Sequence, residues 1–98
     1  MSSRQINSIL PAPQDRQTVL RLSEMHAGEK GRILKIGGNG SLRRRIQEMG
    51  LLKDTEIYVE KYAPLRDPLE LIVKGYHISL RVEEADQIVV AKTETRAG

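Results

Sequence analysis

The sequence predicts a mostly β protein: a small closed barrel of about five short strands carrying one α-helix over about residues 42–49. Three observations predict it. Apolar and polar residues alternate through several short segments, the period of a half-buried strand. One segment, Leu42 to Met49, has convincing helical spacing and ends at a glycine. The chain has 98 residues and no Trp, Phe or Cys, so it can build one small core, and that core is aliphatic.

Each element follows in order. Residues 1–17 are polar, are punctuated by Pro11-Ala12-Pro13 and lack a clear period, which reads as an extended tail. The domain is expected over 18–93, opened by Val19, Leu20 and Leu22 and by a helical turn at Ser23-Glu24-Met25, with 94–98 a frayed C-terminus. Gly28 to Ile36 reads as a strand whose apolar positions Ile33, Leu34 and Ile36 break alternation, the mark of a bulge. After the loop Gly37-Gly38-Asn39-Gly40, Ser41 is the expected N-cap of a helix with the stripe Leu42, Ile46 and Met49. Gly50 stands where a left-handed cap belongs, and Leu51 can fold back onto the stripe.

Asp54 to Tyr62 alternates, with Ile57 and Val59 on one face and Tyr58, Glu60 and Tyr62 on the other. Pro64 to Pro68 is a turn. Leu69, Leu71 and Val73, then Tyr76, Ile78 and Leu80, read as the inward faces of a hairpin turning at Gly75, and Leu71, Ile78 and Leu80 are expected to be buried. Glu83 to Asp86 suggests a helical turn, with Glu83 and Glu84 solvated, and Gln87 to Ala91 a last strand. Closure into a barrel would remove the edges a flat sheet exposes.

Composition narrows the function classes. Without cysteine there is no disulfide, thiolate metal site or cysteine nucleophile. No apolar run approaches the roughly 18 residues of a membrane span and no secretory leader is evident, so a cytoplasmic protein is expected. The net charge of +3 is mild, a hint of an acidic partner rather than a nucleic-acid footprint. No Ser, His and carboxylate stand in a recognisable catalytic relation, and the chain is expected not to be an enzyme.

Candidate contacts lie on the helix and the proline-bracketed turn. Gly37 to Ser41 followed by Arg43-Arg44-Arg45 could attract an anion, yet it carries neither a P-loop nor a GxGxxG pattern and reads first as a strand-to-helix loop. At about 100° per residue, Arg45 falls beside the apolar stripe, where its stem packs and its head seeks a carboxylate. Arg43 and Arg44 point outward and are the contact residues. Leu65, Arg66 and Asp67 in the turn, with Tyr58 and Tyr62 on the outward strand face, complete the expected partner-binding set. Only His26 and His77 are available as imidazole ligands. No metal site is assigned, and any divalent binding, as at His77 near Glu70, would be weak and adventitious.

Leu22-Ser23-Glu24-Met25 with Ala27-Gly28, Gly31-Arg32-Ile33, Arg44-Arg45-Ile46 with Glu48-Met49-Gly50-Leu51, Ala63-Pro64-Leu65 with Asp67-Pro68-Leu69, and Ser79-Leu80-Arg81 with Glu84-Ala85 form a combination. Together they resemble the ferrous iron transport protein A (FeoA) family over about residues 19–92. Asp54 and Arg66 stand where that family often has glycine. The resemblance implies an SH3-like barrel, and from the residues present no cofactor is expected. It further implies an adaptor that assists ferrous iron uptake by binding the GTPase part of a FeoB-type membrane transporter, peripheral to the inner membrane through that partner. Self-association into a homo-oligomer is left open. No nucleic acid is expected. The readings from other classes are a small RNA-binding or ribosome-associated barrel using the arginine helix, and an iron-sensing domain.

Overall fold

The computed structural model describes residues 17–93. The rest of the expected tail and the expected frayed end lie outside the described residues. The elements are β1 (Gln17–Arg21), a 3-10 turn (Leu22–Glu24), β2 (Lys30–Ile36), α1 (Gly40–Glu48), β3 (Glu56–Tyr62), a turn (Pro64–Arg66), β4 (Leu69–Val73), β5 (Tyr76–Leu80), α2 (Val82–Ala85) and β6 (Ile88–Thr93). All strand pairs are antiparallel, in the order β1-β6-β2-β3-β4-β5.

The mostly β, one-helix fold is the expected one, with six strands where about five were expected. The stretch read as the end of the tail and the opening of the domain is a sixth strand, because Gln17 to Arg21 pair with Thr93 to Val89. Among the described residues no ladder joins the two end strands, so β1 and β5 are edges. The reason lies after β5. Arg81 turns directly into α2, and the chain then returns as β6 beside β2 rather than beside β5.

One aliphatic core fills the interior: Leu22, Met25, Ile33, Ile46, Leu51, Ile57, Val59, Leu69, Leu71, Leu80, Ile88 and Val90 are fully or almost fully buried. Leu71 and Leu80 are buried as expected, whereas Ile78 is only half-buried because, among the described residues, its strand has a neighbour on one side alone. The expected bulge in β2 appears as a register shift between Ile33 and Lys35 against β6.

Helix α1 starts earlier than the sequence suggests. Asn39, not Ser41, is the N-cap, and its Oδ1 accepts the Leu42 N–H at 2.8 Å. At the other end Gly50, at φ 94°, permits the left-handed reversal. Gly50 N–H donates to Gln47 O at 2.9 Å and Leu51 N–H to Ile46 O at 3.4 Å. That pattern, with Leu51 packed against Ile46 in the core, is a Schellman cap.

Candidate partner-binding surface

The turn after β3 is the most shaped surface feature. A register shift between Val59 and Lys61 separates Tyr62 from the face of Tyr58. The expected shared outward face is therefore corrected: Tyr58 is exposed beside Ile72, while Tyr62 is half-buried against the core. The Tyr62 hydroxyl donates within reach of two backbone carbonyls, Met25 O at 2.6 Å and Ser23 O at 3.1 Å. Burial pushes its phenol above the ordinary value, partly offset by the Arg66 charge. On the ring sits the Arg66 guanidinium, 4.2 Å from the centroid.

Between these anchors the backbone turns through two successive left-handed residues, Leu65 at φ 70° and Arg66 at φ 66°. Arg66 N–H donates to Ala63 O at 2.7 Å and Ala63 N–H to Pro68 O at 2.9 Å, closing the turn on itself. Left-handed conformation costs a residue with a Cβ about 1–2 kcal/mol. The turn nevertheless holds Leu65 out at 97% exposure. Asp67 looks back at its own chain. Its Oδ1 accepts the Val82 N–H at 3.2 Å and lies 4.0 Å from Arg81 Nη1.

Helix α1 divides its arginines as the geometry of a helix requires. Arg43 and Arg44 are exposed, and Arg45 is exposed as well rather than packed along the stripe, so an ion pair and not burial sets it apart. Arg45 Nη1 donates to Glu84 Oε2 at 2.6 Å. Glu84, read from sequence as solvated, is 4% exposed, and its Oε1 accepts the Arg81 N–H at 2.8 Å. The carboxylate sits at the third residue of α2, where it both caps the helix and receives Arg45. The spacing of Arg81 and Glu84 was the available signal for the cap, but nothing in the sequence pairs Glu84 with Arg45.

A cleft of about 270 Å³ lined by Arg45, Pro68, Ser79, Leu80, Arg81 and Glu84 joins α1 to the base of the turn. The glycine-rich loop is occupied by its own chain. Gly37 N–H donates to Gln87 O at 2.7 Å, and Asn39 takes the first helical donors. The histidines stand apart, each beside one carboxylate: His26 Nδ1 is 3.7 Å from Glu29 and His77 Nδ1 is 3.3 Å from Glu60. The expected neighbour Glu70 is instead paired with Ser79, because His77 aligns with Ile72. No group of three or more metal-ligating His, Cys, Asp or Glu occurs among the described residues.

A FeoA domain family model matches residues 20–92. The chain belongs to the FeoA family. FeoA membership is supported by a curated relative from Porphyromonas gingivalis (strain ATCC BAA-308 / W83), a fusion of Fe(2+) transport protein A with the Fe(2+) transporter FeoB, 41% identical over 78 residues. The match covers 80% of this chain but 9% of that protein. Among solved structures, the FeoA-like protein of Clostridium acetobutylicum superposes with a TM-score of 0.73 at 32% identity, over 85% of this chain and 95% of that one. The zinc complex of Stenotrophomonas maltophilia FeoA, described as an SH3 domain protein, gives 0.64 at 27% identity over 72% and 88%. The fold is SH3-like. FeoA proteins thus share the frame on which Asp54, at φ 71°, and Arg66, at φ 66°, hold backbone conformations natural to glycine. No helix of the described residues is long and apolar enough to cross a membrane.

Proposed function

We propose that this chain is a non-catalytic adaptor that assists ferrous iron uptake by docking on the cytoplasmic GTPase part of a FeoB-type transporter. It would lie at the inner membrane only through that partner. The observation that carries the reading is Leu65: a large apolar side chain, fully exposed, on a turn pre-formed by the Tyr62–Arg66 stack. A rigid turn spares the ordering cost of binding, so a single apolar knob can anchor an interface. Local backbone cost at an exposed turn is accounted for if the displayed side chain has a use. Fusion of a FeoA unit to the FeoB transporter in the P. gingivalis relative supports the choice of partner. Arg43 and Arg44 supply positive charge for an acidic surface, and Arg66 and Tyr58 add polar and aromatic contact area.

The test is binding of the purified chain to the transporter's soluble GTPase part, with ferrous iron uptake measured alongside. Leu65→Asp and Arg43→Glu/Arg44→Glu should each weaken binding at least about tenfold, which is about 1.4 kcal/mol, with melting unchanged. Wild-type affinity in both variants would sink the reading. The RNA-binding alternative predicts that affinity for RNA falls steeply with salt and disappears on the arginine reversal.

A further inference from the structure

Among the described residues β5 has no strand on its outer side, and that edge is laid out for a second strand. The hairpin loop is two residues long, Lys74 at φ 52° and Gly75 at φ 84°, so Val73 and Tyr76 close it as the hydrogen-bonded pair. Alternation along the ladder then makes Leu71–Ile78 and Leu69–Leu80 the other bonded pairs. The backbone N–H and C=O groups of His77 and Ser79 consequently face away from β4. The strand Tyr-His-Ile-Ser-Leu has no lysine, no proline and no bulge, the devices that ordinarily blunt an edge.

The two ends of β5 complement each other. At one end Tyr76 is 72% exposed beside an apolar hollow of about 280 Å³ that includes Met49, Val73 and Ile78. At the other end Leu80 and Ser79 line the 270 Å³ cleft, with Arg45 and Arg81 on its walls. An antiparallel pairing centred on Ile78 sets Tyr76 of one copy opposite Leu80 of the other. It also sets His77 opposite Ser79, whose outward groups would exchange four ladder bonds in total. Residues directly opposite share a face, so each tyrosine ring would arrive at the other copy's arginine-walled cleft. Within the paired stretch, Tyr76 to Leu80, no like charges would be opposed.

We propose that β5 is a two-fold homodimer interface, in which two copies pair antiparallel about Ile78 and each Tyr76 ring enters the Arg45–Arg81 cleft of its mate. A surface that is complementary to itself under a two-fold axis closes as a dimer and does not propagate. The inference is independent of the docking surface at Leu65.

The chain has no cysteine, so Ile78→Cys introduces a single thiol. At a non-bonded antiparallel pair the Cα atoms are about 4.5 Å apart, inside the disulfide range. Mild oxidation should convert this variant to a covalent dimer, whereas Val19→Cys, on the opposite edge, should stay monomeric. Sedimentation of the unmodified chain should show a concentration-dependent dimer. Ser79→Pro, which removes an outward N–H at a position where an edge strand tolerates proline, should abolish it, and Tyr76→Ala should weaken it. A chain that sediments as a monomer throughout, with the Ile78→Cys variant crosslinking no faster than the Val19→Cys variant, would overturn the proposal. So would a dimer indifferent to both Ser79→Pro and Tyr76→Ala. A monomeric chain that loses transporter binding on Ser79→Pro would also overturn it, and would assign the edge to a strand supplied by the transporter.

Discussion

Arg45 on α1 and Glu84 on α2 are joined at 2.6 Å across the top of the core, and the carboxylate they share with the Arg81 N–H is buried. The pair clasps two short helices that have few other means of fixing their mutual position. A buried ion pair adds little net stability, but removal of one partner strands the other. Arg45→Ala is therefore expected to lower stability by about 1–3 kcal/mol, moderated because the guanidinium side is open to water. Arg45→Glu should cost more, since it sets two carboxylates together. Arg43→Glu/Arg44→Glu should change urea unfolding by less than about 0.5 kcal/mol per site. Equal effects at the three positions would refute this assignment.

Tyr62→Phe keeps the ring under Arg66 but leaves the Ser23 and Met25 carbonyls without its hydroxyl. The expected loss is about 1 kcal/mol, or about 4–8 °C in melting temperature for a domain of this size. Tyr62→Ala should lose the stack as well and release the Leu65 turn. Hydrogen exchange at the Arg66 amide, protected in the wild type by Ala63 O, measures that release.

Leu80→Ala should cost about 2–5 kcal/mol, a large fraction of the stability of so small a domain. Ile78→Ala should cost clearly less, because the edge position leaves that side chain half in water. Chemical denaturation midpoints would show the order, and a reversed order would mean that the core does not end at β5.

Glu29 contributes to the acid side of stability. Burial pushes its carboxyl up, but the His26 N–H at 2.7 Å and the Lys92 ammonium at 3.1 Å outweigh that, and the net shift is below the ordinary 4.5. A carboxyl lowered on folding stabilises the protein above its unfolded value and loses that contribution as pH falls through its folded value. Wild type should therefore melt higher than Glu29→Gln at pH 6, and the gap should narrow below about pH 4.5. A gap unchanged between about pH 6 and about pH 3 would show that the His26 N–H and Lys92 do not together favour the carboxylate on folding.

Much of the frame is local and therefore legible in the chain. Leu42, Ile46 and Met49 mark a stripe, Gly50 its end, and the alternations around Ile57, Leu71 and Leu80 mark strand faces. These follow from two periodicities and one left-handed residue, none of which needs a distant partner. The separation of Arg45 from Arg43 and Arg44 is likewise helix geometry. What the chain could not declare depends on partners far away in sequence. Tyr62 turns inward because β3 slips register against β4. Glu84 is buried because α2 folds beneath Arg45. Ile78 and Tyr76 stay open because no strand follows β5 at its side among the described residues. A side chain's period says which face it shares. Which faces and edges are covered is decided only when the elements meet, because burial and pairing are properties of two segments and not of one.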